Sequence, residues 1–325
     1  MALYITEAQV DTLVTMPEAI DALESAFFRQ GEGAVINQSR RRLHMPDGTF
    51  HLMTCADLEL QTFSVKLYAS YAPKTRFLIL LYSAINGDLL AVIEADRLGQ
   101  IRTGAASAVA SKRLVSHDAL ATGQIDIGII GTGWQAESQL EALCAALPVK
   151  SITAYGRHVE RCSAFADRMT RKLSVVVTPA SEPEEAVTGK AIVTTATTSK
   201  EPVFEGEWLS PGTHVNAVGS NLLMKREIDI ETIRRSGLVI VDSIEQAKQE
   251  AGDLIPAFEK GVLRWERVSE LNKLVCGEAR RESADQITLF KSIGIALEDT
   301  AVATAVYQRA VEHGVGTLWP MWQGN

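Results

Sequence analysis

The chain has 325 residues, which suits two domains, since a single hydrophobic core rarely grows past ~250–300 residues. Its net charge of −8 and its pI near 5.4 argue against general nucleic-acid binding, which needs a basic face. The sequence has no stretch of ~20 apolar residues, so we expect no membrane span. The N-terminus has no basic start followed by an apolar run, so we expect no secretory signal.

Cysteine and histidine spacing predicts neither disulfides nor a metal site. Cys55, Cys144, Cys162 and Cys276 lie far apart without a C-x-x-C motif, which is typical of reduced thiols in a cytoplasmic protein. The six histidines are scattered, and none belongs to an H-E-x-x-H motif. We therefore expect a soluble cytoplasmic protein that holds no protein-bound metal.

The first ~100 residues predict an α+β region that is mostly antiparallel. A helix is expected over 17–29, with Pro17 at its start and an apolar face of Ile20, Leu23, Ala26 and Phe27. Strand-like runs follow, separated by turn signals at 46–48, 72–74 and 86–88; they span 39–44, 49–53, 62–69, 76–84 and 89–95. Residues 97–114 are rich in small helix formers and predict a second helix.

From Gln124 onward, apolar strands alternate with helices. The run IDIGII precedes a helix that Pro148 stops, and SITAY precedes another helix. Further apolar runs are expected to be strands at 174–178, 191–195, 213–218 and 238–242. This rhythm predicts an α/β fold with a Rossmann-type doubly wound parallel sheet. A last helix, about 295–313, is expected to return to the first domain or to contact a partner subunit.

A nucleotide-binding turn follows the strand IDIGII directly. It has the pattern G-x-G-x-x-A and comprises Gly131, Thr132, Gly133, Trp134, Gln135 and Ala136. In this motif the first glycine permits a tight turn, the second lets the backbone approach a pyrophosphate, and the small last residue lets helix and strand pack closely. The alternative is a tight strand–helix turn that binds nothing.

The end of the next strand bears on the choice of cofactor. NAD-selective sites usually carry Asp or Glu there, to bind the ribose 2′-hydroxyl. This chain instead has Arg157 and His158 after Tyr155-Gly156, with Arg161 one helical turn on. A guanidinium suits a 2′-phosphate, so NADP(H) is favoured and NAD(H) remains open. The alternative is that Arg157 is merely solvated.

The runs IRTGAASAVASKRL and IGIIGTGWQAESQLEAL resemble the ornithine cyclodeaminase/mu-crystallin family. The segments VKLY, HVNAVGSN and TLFKSIGIALEDTAVA resemble it too, so the likeness covers roughly 15–312. The resemblance implies a homodimer. It also implies a substrate-binding and dimerisation domain at 1–115 and 296–325 and a Rossmann dinucleotide-binding domain at 116–295.

The resemblance also implies a set of cations that bind a substrate carboxylate. Lys66 and Arg102 match two such positions, and Arg40 fits a third, with Arg42 on the same face of its strand. Two or three convergent cations suit an α-imino or α-amino acid. Alternatively, Arg41 and Arg42 lie on a solvated edge and Arg102 pairs with an acid such as Asp96. A buried Lys66 needs a partner in any case.

Asn221 departs from the family pattern, since ornithine cyclodeaminases carry an aspartate in this place that accepts a proton. Asparagine cannot act as a general base, although it can orient an imine or a water. We therefore count Lys66, Arg102 and Asn221 as the candidate catalytic residues and expect imine reduction rather than cyclodeamination. The alternative for Asn221 is a turn residue.

The resemblance implies further cofactor contacts along the chain: Thr103, Thr195, Thr197, Gly219 and Ser292. Of these, Gly219 and Ser292 are expected near the nicotinamide ring. Asp299, in the last helix, is expected to orient a structural hydrogen bond rather than to take part in the chemistry.

Together these features predict an NAD(P)H-dependent reductase of α-imino acids. Suitable substrates are ketimines of the Δ1-pyrroline-2-carboxylate or Δ1-piperideine-2-carboxylate type, which would give L-amino acids such as L-proline. The alternatives are an ornithine cyclodeaminase, which forms L-proline and ammonia, and a non-catalytic protein that binds a nucleotide or another ligand. The sequence does not fix the ring size of the substrate.

Overall fold

The computed structural model describes residues 1–71 and 74–321, so the turn expected at 72–74 lies outside the described residues at positions 72 and 73. The chain divides into two compact units. Unit 1 comprises Met1–Ala105 and Ile295–Asn325, and unit 2 comprises Ala106–Gly294. The boundary after Ala105 falls inside a helix, ten residues before the boundary expected after residue 115.

The strands of the described residues are, in chain order, β1 (Ala2–Ile5), β2 (Val35–Met45), β3 (Gly48–Asp57), β4 (Thr62–Tyr71), β5 (Lys74–Ser83), β6 (Leu89–Glu94), β7 (Ile125–Ile130), β8 (Val149–Tyr155), β9 (Val176–Pro179), β10 (Ile192–Thr195), β11 (His214–Ala217), β12 (Ser236–Val241), β13 (Val268–Glu270), β14 (Ile287–Lys291) and β15 (Thr317–Trp319). The α-helices are α1 (Glu7–Leu13), α2 (Met16–Gly31), α3 (Asp96–Leu114), α4 (His117–Ala121), α5 (Trp134–Ala146), α6 (Val159–Leu173), α7 (Ile230–Arg235), α8 (Ile244–Glu250), α9 (Ile255–Glu259), α10 (Leu271–Val275) and α11 (Ala296–His313).

Unit 1 is built on a sheet that runs β15-β1-β6-β5-β4-β3-β2 across its described residues. All neighbouring pairs are antiparallel except β1 with β6. Helix α2 begins with a capping box between Thr15 and Glu18, and its buried face contains the apolar side chains expected from the sequence. Helix α11 packs on β2 to β5 and on α2.

A polar seam joins α11 to β4 inside unit 1. Alternate residues of β4 point to the buried face, as the two-residue period of a strand requires. The hydroxyls of Thr62 and Thr304 lie 3.0 Å apart, and those of Ser64 and Thr300 lie 2.7 Å apart. The next inward residue of β4 is Lys66, so the seam leads directly to the cation expected to bind substrate.

Unit 2 contains a parallel sheet of eight strands among its described residues, ordered β13-β12-β14-β11-β10-β7-β8-β9. From β7 the chain continues outward through β8 and β9, whereas β10 and β11 lie on the other side of β7, so the order reverses between β7 and β10. The last strand, β14, lies between β11 and β12. In open α/β sheets, ligands bind at the carboxyl ends of the strands beside such a reversal. The predicted fold class, a Rossmann-type sheet plus an α+β unit, is confirmed.

Candidate active site

The Gly131–Ala136 turn joins β7 to α5 at the reversal of strand order. Gly131 has φ +114°, a conformation that side chains rarely adopt, and a Cβ there would lie 2.4 Å from the carbonyl oxygen of Ala196. Ala136 is fully buried and packs in the core beneath β7. Both features are those that a dinucleotide-binding turn requires.

The N-terminus of α5 leaves room for an anion. Gly133 is the N-cap residue, so no side chain caps this end of the helix. A Cβ built on Gly133 meets no atom within 4 Å, which means that open space faces its backbone. Backbone N–H groups at a helix start attract phosphate groups, so the residues present here fit a dinucleotide pyrophosphate.

Three basic side chains follow β8, where the cofactor ribose is expected. Arg157, His158 and Arg161 are exposed and make no side-chain hydrogen bond or ion pair with the described residues. Their charges are not used in folding, so they remain available to a ligand. A 2′-phosphate is one ligand that this geometry suits.

The remaining cofactor candidates of unit 2 lie at one edge of the sheet. Ile130, Thr195, Ala217 and Lys291 end adjacent strands and pair with one another across them. The residues that follow these strand ends, including Thr197, Gly219 and Ser292, therefore emerge along the same edge. Thr195 itself is fully buried, and its hydroxyl has no hydrogen-bond partner among the described residues. The last candidate, Thr103, belongs to unit 1, where its hydroxyl donates to Gly99.

The expected substrate-binding cations come together on the inner face of the unit 1 sheet. Lys66 is 2% exposed and Arg102 is 9% exposed. Arg40 is also buried, and Arg42 pairs with His51 on β3, on the same face. Residues from two strands and a helix, far apart in sequence, thus form one cluster of positive charge.

Two acids of α11 hold this cluster in place. Asp299 Oδ1 accepts from Lys66 Nζ at 2.7 Å and from Arg102 Nε at 3.1 Å, and Glu298 Oε2 accepts from Arg102 Nη1 at 2.6 Å. The alternative expected for Arg102 was an ion pair with an acid such as Asp96. Arg102 does pair with acids, but they are Glu298 and Asp299, because Asp96 forms its ion pair with Arg76. Asp299 thus forms ion pairs with two candidate site residues, and its expected role as an orienting rather than a reacting group stays a prediction.

Burial lowers the pKa of Lys66 to about 8, against the opposing effect of the Asp299 carboxylate. Burial, together with the charges of Arg42 and Arg40, lowers the pKa of His51 to about 4. His51 is therefore neutral near pH 7, and its ring stacks on Tyr68 at 4.1 Å. With a pKa of about 8, Lys66 loses its proton as the pH rises through mildly alkaline values.

The sequence matches the model of the ornithine cyclodeaminase/mu-crystallin family over residues 2–314. The chain belongs to this family. It is 38% identical to the Δ1-pyrroline-2-carboxylate reductase of Bacillus cereus over 241 residues, 74% of this chain and 72% of that protein.

Two solved structures share the fold over nearly the whole chain. The Δ1-pyrroline-2-carboxylate reductase of Thermococcus litoralis in complex with NADH and L-proline superposes with a TM-score of 0.90 at 33% identity, over 98% of this chain and 100% of that one. An archaeal alanine dehydrogenase dimer with bound NAD gives a TM-score of 0.89 at 31% identity, over 97% and 98%. The expected enzyme class, an oxidoreductase acting on C=N or CH–NH bonds, is confirmed.

Sequence reasoning missed a buried carboxylate that ties the sheet edge together. Glu227 accepts the backbone N–H of Thr197 through Oε1 and that of Gly219 through Oε2, each at 2.6 Å. Burial raises the pKa of Glu227, while Lys291 opposes that rise. One carboxylate thus holds two of the backbone segments where cofactor contacts are expected.

A second buried pair supports the loop that carries Asn221. Lys291 Nζ lies 2.9 Å from Asp253 Oδ2 and donates to the carbonyl oxygens of Ala217 and Ser220. Asp253 in turn accepts the backbone N–H of Glu227. A lysine in the apolar strand ITLFK is the one signal in the sequence that pointed to this network, since a buried cation needs a partner. Asn221 itself is half-buried.

Across positions 1–71 and 74–321 there is no helix whose length and apolar character would let it cross a membrane. The same residues contain no group of three or more His, Cys, Asp or Glu side chains that could hold a metal ion.

Proposed function

We propose that this protein is an NAD(P)H-dependent reductase that converts cyclic α-imino acids of the Δ1-pyrroline-2-carboxylate type into L-amino acids such as L-proline. The observation that carries the proposal is the buried cluster of Lys66, Arg102 and Arg40 on the unit 1 sheet. Two carboxylates, Asp299 and Glu298, already pair with this cluster, whose three cations outnumber them. A substrate carboxylate would supply a further negative charge, which makes it a fitting ligand for such a cluster.

The chain's own residues would bind and orient the imine. Arg40, Arg42, Lys66 and Arg102 supply charge for the carboxylate, which leaves the adjacent C=N bond to be presented in a fixed orientation. Asn221 can form hydrogen bonds but cannot remove a proton. This suits reduction, in which the nitrogen gains a proton, better than cyclodeamination, in which a base must first take one from the substrate amine.

The nicotinamide cofactor, when bound, supplies the hydride that the imine carbon accepts. The N-terminus of α5 and Gly133 would hold its pyrophosphate, and the Thr197 and Gly219 segments would line its path along the sheet edge. We propose a preference for NADPH, because Arg157 and Arg161 are free to bind a 2′-phosphate and no acid occupies the end of β8. The two similar structures hold NADH or NAD, so both cofactors belong in the test.

We also propose a homodimer formed through the outer face of the unit 1 sheet. Ile36, Leu43, Met45 and Leu78 are exposed on that face by 39–67%. Exposed apolar patches of this kind favour association. Leu43→Glu is expected to shift the protein from dimer to monomer in light scattering, and a wild-type protein that is already monomeric would refute the dimer.

The reaction is tested by following absorbance of reduced cofactor with Δ1-pyrroline-2-carboxylate, using NADPH and NADH in separate experiments. Rapid oxidation supports the reductase, and the ratio of the two rates decides the cofactor. Lys66→Met is the test variant for the cluster, since it removes one of the positive charges while keeping most of the side-chain volume. Oxidation that Lys66→Met leaves unchanged would contradict the assigned role of the cluster.

A second candidate is an alanine dehydrogenase, which the similar archaeal structure favours. It would reduce the acyclic imine formed from pyruvate and ammonia, with the same carboxylate-binding cations. Cofactor oxidation that requires ammonia and pyruvate would favour this reading. Ammonia release from L-ornithine would favour a cyclodeaminase instead, and ligand binding without turnover would favour a non-catalytic protein.

A further inference from the structure

Asp299 is a fully buried carboxylate in the first turn of α11 that uses only one of its oxygens. Oδ1 accepts from both Lys66 and Arg102, whereas Oδ2 is buried and accepts no hydrogen bond from any described residue. Leaving a buried carboxylate oxygen without a donor costs stability. Its presence beside two substrate-binding candidates points to a role beyond packing.

The charge of Lys66 depends on Asp299. Asp299 supplies the ion pair that Lys66 makes among the described residues, and the other side-chain contact of Lys66 Nζ is the ring of Phe77, 4.9 Å from its centroid. Arg102 on α3 and Arg40 on β2 face Lys66 and disfavour its charged form. Helix α3 also passes close by, since a Cβ built on Gly99 would lie 3.4 Å from Lys66 Nζ.

The other titratable groups near Lys66 do not replace Asp299. Glu298 directs Oε2 to Arg102, at 2.6 Å, whereas the carboxylate that accepts from Lys66 is that of Asp299. His51 on β3 is neutral, because burial and the charges of Arg42 and Arg40 hold its pKa at about 4. Burial alone would raise the pKa of Asp299, but Arg102 and Lys66 hold it below its ordinary value, so Asp299 stays ionised.

We propose that Asp299 is a positioning residue that keeps Lys66 in its ammonium form and fixes its direction for binding the substrate. The inference rests on the function proposed above, in which Lys66 needs its charge to hold an α-imino acid. Because Asp299 holds both cations through Oδ1, its Oδ2 can accept a hydrogen bond from a water or from the substrate nitrogen. Asp299 would then set the pH range in which the enzyme works.

The pH profile of kcat/KM tests this role, with Asp299→Asn as the variant and Glu298→Gln as the matched control. Both acids are buried neighbours on α11 that contact Arg102, but the carboxylate that accepts from Lys66 is that of Asp299. Wild-type kcat/KM should fall as pH rises past about 8, the pKa of Lys66. Asp299→Asn should move this fall at least about one pH unit lower, since an opposite charge at this range shifts a pKa by about 1–3 units.

Glu298→Gln should leave the alkaline fall at its wild-type pH, and Asp299→Glu should largely restore it. An Asp299→Asn profile that falls at the wild-type pH overturns the inference. A Glu298→Gln profile that shifts equally also overturns it, because a general loss of packing would then explain both. If circular dichroism shows that Asp299→Asn does not fold, Lys66→Arg is used. Its guanidinium keeps its proton, so an alkaline fall that persists in its residual activity refutes the role of Lys66.

A readout without turnover separates this inference from the proposed function. The free energy of unfolding of wild type should rise with pH from about 8, as Lys66 loses its proton in the folded state. In Asp299→Asn this rise should begin about one unit lower, whereas Glu298→Gln should match wild type. Wild type that reduces no imine would refute the proposed function alone, and superimposable unfolding profiles of wild type and Asp299→Asn would refute the inference alone.

Discussion

Replacing Lys66 with methionine should remove a pH dependence from the stability of the protein. The pKa of Lys66 is lowered from 10.5 to about 8, chiefly by burial. A difference of about 2.5 in pKa, at about 1.4 kcal/mol per unit, makes the charged lysine cost about 3 kcal/mol in the folded state. Because the folded pKa is the lower one, this cost is fully present below pH 8 and disappears as pH rises to 10.5.

The assay is urea unfolding followed by circular dichroism at several pH values between 7 and 10. Subtracting the Lys66→Met values from the wild-type values cancels the titration of other groups. The difference in free energy of unfolding should change in favour of wild type by about 2 kcal/mol between pH 8 and pH 10. A flat difference would mean that Asp299 offsets burial completely, and a change in the opposite direction would mean that the pKa of Lys66 is raised. Either result would contradict the lowered pKa of Lys66.

Four further substitutions examine the cofactor unit. Gly133→Ala should weaken NADH binding at least ~10-fold in a fluorescence titration without lowering the melting temperature, because its Cβ meets no protein atom. Gly131→Ala should lower both the NADH affinity and the melting temperature, since its Cβ would lie 2.4 Å from a backbone oxygen. Unaltered binding by Gly133→Ala would argue against the pyrophosphate site. Glu227→Gln should lower the free energy of unfolding by about 1–3 kcal/mol in urea, because an amide cannot accept both backbone N–H groups, and a loss under about 0.5 kcal/mol would contradict this. Arg157→Ala should raise KM for NADPH about 10-fold and leave KM for NADH unchanged, and equal changes would remove Arg157 from the 2′-phosphate site.

Features that depend on neighbouring residues could be predicted from the sequence. The apolar face of α2 repeats every three to four residues, and those side chains are buried as expected. The G-x-G-x-x-A turn is equally local, because one strand, one turn and the start of one helix contain all its requirements. The parallel sheet followed from the alternation of strands and helices. Strand ends were less accurate: β2 runs over Val35–Met45 rather than 39–44, because pairing with β3 extends it.

The gathering of Lys66 and Arg102 was anticipated through the family resemblance, but their partners were not. Asp299 lies 233 positions from Lys66 and 197 from Arg102, and its pairing with them depends on how α11 packs against β4. No periodicity in the sequence encodes that packing. Asp96, a near neighbour in sequence, was the acid suggested as a partner for Arg102. The structure instead pairs Asp96 with Arg76 on β5.

The fold class, the position of the G-x-G-x-x-A turn and the basic residues after β8 could therefore be predicted from the chain alone, since each depends on local strand and helix patterns. The acids that neutralise the buried cations, and the carboxylate that ties the ends of β10 and β11, became known from the packing of whole elements. The physical reason is that a buried charge is stabilised by whichever opposite charge packing brings within about 3 Å. That neighbour is set by the register of whole elements against one another, as with Asp299 opposite Lys66, and not by distance along the chain.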